Sequence, residues 1–266
     1  MKAGVYRVEG RSHFDHLTAM SQGLHEHGIA FEYFSSIPSQ NVDFCVVWSF
    51  RVALRVKQYF SGPILVMERG YLGNRFEWTS LGWDGLNGRA RFTRKDDSCR
   101  FEKHFGHLLK PWRETSGYAL IVGQVVGDSA LIGTDIHKWY RDVGVALWKQ
   151  GWDVKFRQHP VEAERGIKTP HVPFAETLNG YLDDALSGAG LVVSFNSNSG
   201  VDAILAGVPV HAQDSGSMVF DLASHDLQVT KPDREKRLHE MAWMQFQIEE
   251  IKSGAAWEIA RESMQA

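Results

Sequence analysis

The residues best suited to chemistry in this chain lie in one short run, Ser194-Phe-Asn-Ser-Asn-Ser-Gly200. Ser194, Asn196, Ser197, Asn198 and Ser199 set hydroxyl and amide groups beside what reads as a helix start at Gly200. Free backbone N–H groups and the helix dipole favour an anion at such a point. A phosphate or diphosphate suits that cradle, although an ordinary strand-to-helix turn with a capped helix has the same pattern. A second feature lies about 40 residues upstream, in Asp153-Val-Lys-Phe-Arg-Gln-His-Pro160. Arg157 offers a planar donor fork that matches phosphate oxygens, and His159 offers another donor. Each of the two alone is equally a surface ion pair or a loop histidine.

Strands have to deliver both groups. Leu191 to Val193 is the short apolar run of a buried parallel strand, and it stops at the polar segment. Val201, Ile204 and Leu205 give the following helix its apolar stripe, and Gly207 and Pro209 end it. In an open parallel sheet ligands bind beyond the carboxyl ends of the strands, so Arg157, His159 and the Ser/Asn loop face one crevice. The first half alternates in the same way. Strand Ala3 to Val8, helix Phe14 to His27 and strand Ile29 to Tyr33 are followed by strand Asp43 to Ser49, helix Val52 to Phe60 and strand Pro63 to Met67. Such alternation implies parallel sheets. Residues 71–100 have no clear period and read as a long loop, Lys110 to Gly117 reads as a linker, and the pattern after Val229 is helical to the end, Phe246 included. The fold class is α/β, with two Rossmann-like domains at 1–115 and 116–232 facing a cleft and a helical segment at 233–266.

The stretch from Leu120-Ile-Val-Gly-Gln124, through Lys155-Phe-Arg-Gln-His-Pro160, to Ser194 and on to Pro209 resembles the donor half of GT-B glycosyltransferases. In pattern it is similar to capsule-polysaccharide transferases and to bacteriophage enzymes that put sugars on modified DNA bases. The resemblance covers residues 118–230. It implies that Gly123 and Gln124 lie near the diphosphate of a nucleotide-sugar donor, a UDP-sugar such as UDP-glucose first among them, with no metal required. It further implies that Arg157 and His159 contact phosphate or sugar, and that Ser197, Asn198, Ser199 and Gly200 cradle the diphosphate. Asp202 falls where many relatives have a glutamate that binds ribose hydroxyls; the shorter side chain departs from that pattern. The resemblance also implies that 233–266 crosses back onto the first domain.

Sugar transfer needs a base for the acceptor hydroxyl. Glu68, directly after an apolar strand, leads the candidates, followed by Asp84 in the Trp83-Asp-Gly85 turn and by His13, with Asp15 and His16, in the first strand-to-helix loop. Each also has a plain reading as an ion-pair partner, a turn residue or a helix-start residue. Charge bears on the acceptor. From Arg51 to Arg113 there are 13 Lys and Arg against 6 Asp and Glu, a local +7 in a chain of net charge −3. Arg89, Arg91, Arg94, Lys95, Arg100 and Lys103 are interleaved with aromatics, a combination that suits nucleic acid or, equally, a solvated surface with its own counter-charges.

With 266 residues, 43% of them hydrophobic, the chain can build two compact cores. Two cysteines argue against a disulfide scaffold, and the apolar runs are too short for a membrane helix. Met1 to Glu9 lacks a secretory apolar region, so a cytoplasmic location is expected, in the host if the chain is phage-encoded. The sequence has neither metal-ligand spacing nor nucleotide-binding glycine fingerprints of the Walker or Rossmann type. The expectation is a glycosyltransferase acting on a 5-hydroxymethylpyrimidine such as 5-hydroxymethylcytosine in DNA. The alternatives are a cell-surface glycan acceptor, a nucleotide-sugar epimerase of the same fold, and a DNA-binding module without chemistry.

Overall fold

The computed structural model describes residues 1–8, 13–114 and 116–264. Glu9 of the N-terminal segment and Thr115 of the expected linker lie outside them. The chain divides into two compact units, Met1–Phe105 with Lys236–Ala266, and Gly106–Glu235.

The first unit begins β1 (Lys2–Tyr6), α1 (Phe14–Glu26), β2 (Ala30–Phe34), β3 (Phe44–Trp48), α2 (Phe50–Val56), β4 (Ile64–Arg69), β5 (Thr79–Trp83) and α3 (Ser98–His104). The second contains β6 (Tyr118–Val122), α4 (Ile136–Lys149), β7 (Val154–Arg157), α5 (Pro160–Glu164), β8 (Ala175–Leu178), α6 (Leu182–Ser187), β9 (Ala189–Ser194), α7 (Ser199–Leu205) and β10 (Val210–Ala212). The chain ends with α8 (Glu235–Ala242), β11 (Gln245–Phe246), α9 (Ile248–Lys252) and α10 (Ala255–Ala260).

The first sheet has the order β11-β5-β4-β3-β1-β2, with β1 to β4 parallel. Successive side chains in a strand face opposite ways, and here both faces are covered. Val46, Trp48, Leu65 and Met67 pack with Leu17, Met20 and Leu24 of α1 and with Ile251 and Trp257 of the C-terminal segment. Cys45, Val47, Ile64 and Val66 pack with Val52, Ala53 and Val56 of α2. The strands therefore read as unbroken apolar runs rather than alternating ones.

Two elements differ from the sequence expectation. The long loop at 71–100 contains β5, antiparallel to β4, and Phe246 lies not in a helix but in β11, antiparallel to β5. β5 opens on the polar Thr79 and Ser80, and the two-residue β11 opens on Gln245 and pairs with a strand far away in sequence, which local periodicity does not register. The segment Lys110 to Gly117 is also no free linker. Lys110 and Arg113 donate their amides to Leu205 and Gly207 at 2.8 and 2.9 Å, and the Arg113 side chain donates to the Leu186 carbonyl at 2.7 Å.

The second sheet is fully parallel in the order β10-β9-β6-β7-β8. The chain leaves β6 to one side for β7 and β8 and to the other for β9 and β10, so the order reverses between β6 and β9. Strand order that reverses in this way leaves a crevice at the carboxyl ends. Among the described residues no helix is long and apolar enough to cross a membrane.

Candidate functional site

In the second unit the carboxyl ends of β6, β7 and β9 carry the residues that the sequence singled out. Gly123 follows β6 and donates its amide to the Arg157 carbonyl at 2.8 Å. A Cβ at Gly123 would lie 2.9 Å from that oxygen and 3.0 Å from the His159 nitrogen, so only glycine lets the two loops close together. Gln124 is buried, and its side chain forms a double hydrogen bond with Asn196: Nε2 donates to Oδ1 at 2.7 Å, and Oε1 accepts the Asn196 amide at 3.0 Å. The Asn196 Nδ2 donates to the Ala130 carbonyl and to Asp214 Oδ1, both at 2.9 Å. The Gln124 amide donates to the Tyr140 hydroxyl at 2.7 Å, and burial pushes that phenol's pKa up, so it stays neutral. Gln124 and Asn196 thus hold the two loops together rather than reach outward.

The amides around Gly200 differ from the expectation of open donors. The Ser197 amide donates to Ser194 Oγ at 2.8 Å and the Ser199 amide to Ser197 Oγ at 3.2 Å. Those of Gly200 and Val201 donate to the carbonyls of Ser197 and Asn198 at 3.1 and 2.8 Å. Small hydroxyl side chains fold the loop back on itself and close the first turn of α7 tightly, which uses the donors that a cradle would offer. The Ser199 hydroxyl remains as a donor: its Oγ accepts from Ser197 Oγ at 3.3 Å and keeps its own proton. Asp202 lies in the first turn of α7, its amide donating to the Asn198 carbonyl at 3.3 Å.

Arg157 ends β7, and its guanidinium donates to the Gly180 carbonyl through Nε at 3.2 Å and Nη2 at 2.9 Å. That contact fixes the fork at the sheet edge with Nη1 still to spend. His159 caps α5, whose first residue is Pro160, and its Nδ1 accepts the Val161 amide at 3.2 Å. An Nδ1 that accepts leaves the proton of the neutral ring on Nε2. The carboxylate of Glu162, 4% exposed, takes the Val126 amide at 2.8 Å and ties down the loop after β6; the sequence offered no signal for it.

In the first unit the leading base candidates separate. Asp84 lies at the amino end of β4, where it accepts the Ile64 amide at 3.0 Å and pairs with Arg91 at 2.9 Å. It is therefore at the edge opposite Glu68, because β5 runs antiparallel to β4. Glu68 Oε1 accepts the Phe50 amide at 2.9 Å and so holds the start of α2. Ser49, between Trp48 and Phe50, has φ of 80°, a strained value for a residue with a Cβ. The Ser49 amide donates to the Met67 carbonyl at 3.0 Å, which, with the Phe50–Glu68 bond, maintains the strain.

Arg69, the next residue, faces the other way. Its guanidinium lies 5.3 Å from the Trp48 ring centre and 4.8 Å from that of Phe76. The His13 ring is parallel to Trp48 with centres 5.5 Å apart, and the His16 ring is 4.7 Å from Trp48. His16 Nδ1 bonds the Thr79 hydroxyl at 2.9 Å. Burial pulls the His16 pKa below the ordinary histidine value, and the Arg69 charge pulls the same way, so the ring is neutral at pH 7. Sequence reasoning passed over Arg69, Trp48 and Phe76. The signal available was a cation directly following the strand-end carboxylate.

The six cations expected to face nucleic acid are largely committed within the unit. Arg100, with 9% of its side chain exposed, binds Glu250 at 2.5 and 2.7 Å and the carbonyls of Ala242 and Gln245 at 2.7 and 2.9 Å. Arg91 pairs with Asp84, Arg94 with Glu240 at 3.6 Å and Lys95 with Glu262 at 3.4 Å. Arg89 sits in a short 3₁₀ turn at Asn87–Arg89, and Lys103 is exposed on α3. The basic run reads as a strip that ties residues 89–103 to the C-terminal segment, with partners that sequence proximity did not reveal. Among the described residues no group of three His, Cys, Asp or Glu could hold a metal ion.

No family model and no curated protein sequence matches this chain. Among solved structures, the KpsC beta Kdo 2,4 transferase of Thermosulfurimonas dismutans matches with a TM-score of 0.64 at 13% identity, over 92% of this chain and 91% of that one. The KpsC beta Kdo 2,7 transferase of the same organism matches with a TM-score of 0.60 at 14% identity, over 97% and 99%. Identities this low speak to fold alone, and the fold is the expected α/β arrangement of two Rossmann-like units. The chain has the fold of the GT-B, capsule-type transferases that its Leu120-to-Pro209 pattern resembles.

Proposed function

We propose that this protein is a glycosyltransferase that moves a sugar from a nucleotide-activated donor to a hydroxyl of a cell-surface or capsule-type glycan. The observation that carries the reading is the likeness of fold to two Kdo transferases over more than nine-tenths of the chain. The set at the β6, β7 and β9 ends supports it. The second unit binds the donor: Arg157 Nη1, His159 Nε2 and the Ser199 hydroxyl bind the phosphate oxygens, and Gly123, Gln124 and Asn196 hold the loops that present them. Charge on the departing phosphate grows as the sugar leaves, and fixed donors at that point lower the barrier. Asp202 takes the ribose.

The first unit binds the acceptor and carries the base. His13 and Glu68, at the carboxyl edge of the first sheet, are the base candidates; Asp84, at the far edge, is not. A DNA acceptor is the weaker reading, since four of the six cations that motivated it are paired with carboxylates of the same unit. No metal is assigned to the reaction, and the protein works in the cytoplasm.

A mass-spectrometric transfer assay tests this, with CMP-, UDP-, GDP- and ADP-activated sugars offered to capsule-type oligosaccharides and to hydroxymethylated DNA. A sugar-sized mass gain on the oligosaccharide is expected. A gain on the DNA alone would return the acceptor to a modified base, and hydrolysis to a changed free sugar without any acceptor would make the protein an epimerase.

A further inference from the structure

The first unit's carboxyl edge holds a cation among aromatic rings. Arg69 is half-buried, and its guanidinium has two aromatic rings as near neighbours, Trp48 at 5.3 Å and Phe76 at 4.8 Å. Among the described residues no carboxylate forms an ion pair with it, whereas Arg91, Arg94, Lys95, Arg100 and Arg237 of the same unit all have one. Its sequence neighbour Glu68 faces the opposite side of the sheet and is bound to the Phe50 amide. Asp15, exposed in the first turn of α1, acts electrostatically on His16.

The surroundings fix this cation. Trp48 is 8% exposed and is bracketed by His13 and His16. Phe76 is 73% exposed at the tip of the turn between β4 and β5. Gln245, fully buried on β11, clamps the base of that turn: its Oε1 accepts the amides of Tyr71 and Leu72 at 2.6 and 3.0 Å, and its Nε2 donates to the Leu72 carbonyl at 3.1 Å. A Cβ at Gly70 would come within 2.5 Å of the Trp78 Cβ, so the turn follows one path. Stacking on aromatic faces leaves the in-plane N–H fork of a guanidinium open to an oxyanion, and the same faces suit a sugar ring.

We infer that Arg69, with Trp48 and Phe76 as walls, forms an acceptor subsite for a sugar that carries a carboxylate, such as a uronic or ulosonic acid. Arg69 binds the carboxylate through its donor fork, and the exposed Phe76 ring packs on the pyranose. The His16 ring, neutral at pH 7, and the His13 ring border the site beside Trp48. This rests on the transferase reading for the word acceptor, but the binding does not depend on transfer.

The test is a titration of the full chain with methyl β-D-glucuronide, methyl β-D-glucoside, the methyl glycoside of Kdo and inorganic phosphate. It is read from the Arg69 Nε–Hε cross-peak and from global chemical-shift changes. The carboxylated sugars are expected to bind about tenfold or more tightly than the glucoside, a gain of the size that one charge-assisted pair gives. Arg69→Met is expected to abolish that preference, and Arg69→Lys to restore it in part. Phe76→Ala, at an exposed site that tolerates truncation, weakens all the sugars severalfold. Lys57→Met, an exposed cation on the opposite face, leaves every affinity unchanged. Equal binding of glucuronide and glucoside would overturn the inference, as would a preference that survives in Arg69→Met. Phosphate that binds as tightly as glucuronide would replace the carboxylate with a phosphorylated partner and overturn the acidic-sugar assignment. Transfer activity indifferent to Arg69 would sink the inference and leave the transferase reading standing; carboxylate binding without transfer to any acceptor would do the reverse.

Discussion

The carboxyl edges of the two sheets are built in opposite ways. In the second unit nearly every polar group is spent on a neighbour: Gln124 and Asn196 satisfy each other, Asp214 takes what remains of Asn196, and the serines fold the loop onto itself. In the first unit Arg69 has aromatic rings where a counter-charge would be, and Ser49 holds a strained backbone beside it. A satisfied polar network fixes one loop geometry at the cost of variety, which suits a ligand part that is always the same, such as a phosphate. An unneutralised cation between rings is poised for a ligand that brings the missing charge. The contrast predicts that substitutions at the second edge act first on stability, and those at the first edge on ligand choice.

Asn196→Leu should break the contrast most severely. It removes the acceptor of Gln124 Nε2 and the donor to the Ala130 carbonyl and Asp214 Oδ1 in a buried setting, and leaves those polar atoms short of a partner, while the backbone amide that Gln124 Oε1 accepts stays. At ~1–3 kcal/mol for each group stranded, the cost is about 3 kcal/mol. Urea unfolding followed by circular dichroism measures it; a loss under 1 kcal/mol would show that the network does not organise the edge. Gly123→Ala comes next at about 2 kcal/mol, because the new methyl meets backbone atoms at 2.9 and 3.0 Å that cannot rotate away. A crystal structure of that variant should show the loops after β6 and β7 moved apart, with weaker donor binding to match.

These two positions mark how far the sequence could be read. The run Leu191 to Val193, the glycine after β6 and the arginine that ends β7 announce themselves through local composition, since a buried parallel strand must be apolar and must stop at its ligand edge. The first sheet's β3 and β4 were legible for the same reason. The inner purpose of Gln124 and Asn196 was not, because a side chain 72 residues away decides whether an amide points in or out. Arg100 gave the same difficulty: beside Phe101 and Lys103 it looks like a base-stacking cation, and only the fold reveals Glu250 against it. Arg69 failed in the opposite direction. Next to Glu68 it looks like half of an ion pair, but adjacent residues in a strand face opposite ways, so the one juxtaposition visible in the sequence is the one that the sheet forbids. Antiparallel β5, which opens on Thr79 and Ser80, offers no unbroken apolar run, and β11 with two residues is too short to register.

A smaller effect comes from one histidine in each unit. Burial lowers the pKa of His16 in the first and of His211 in the second below the ordinary 6.5, with Arg69 adding to the shift at His16. When folding lowers a histidine's pKa, the unfolded chain takes up the proton first, so stability is full above pH 6.5 and falls as the pH drops toward the folded-state value. Unfolding midpoints measured from pH 7.5 down to 5 should therefore decline. His16→Asn and His211→Asn each place an amide oxygen near the Nδ1 position, where His16 meets Thr79 and His211 accepts the Leu227 amide at 3.3 Å. Each should flatten the decline. Curves that keep the wild-type slope in both variants would assign acid sensitivity to other groups.

The mildest change in stability should come from Arg69→Met, and that mildness carries the comparison. Removing Arg69 strands no carboxylate among the described residues and costs at most two cation–ring contacts, while the methionine stem still lies on Trp48. The expected loss is about 0.5–1 kcal/mol. Arg157→Met is the matched control at the second edge. It gives up two hydrogen bonds to the Gly180 carbonyl, which should cost about 1–2 kcal/mol and loosen the loop after β8. If Arg69→Met proved the more destabilising of the two, Arg69 would be a structural brace between Trp48 and Phe76. The smaller loss, with the preference for carboxylated sugars gone, would identify it as a charge kept for a ligand.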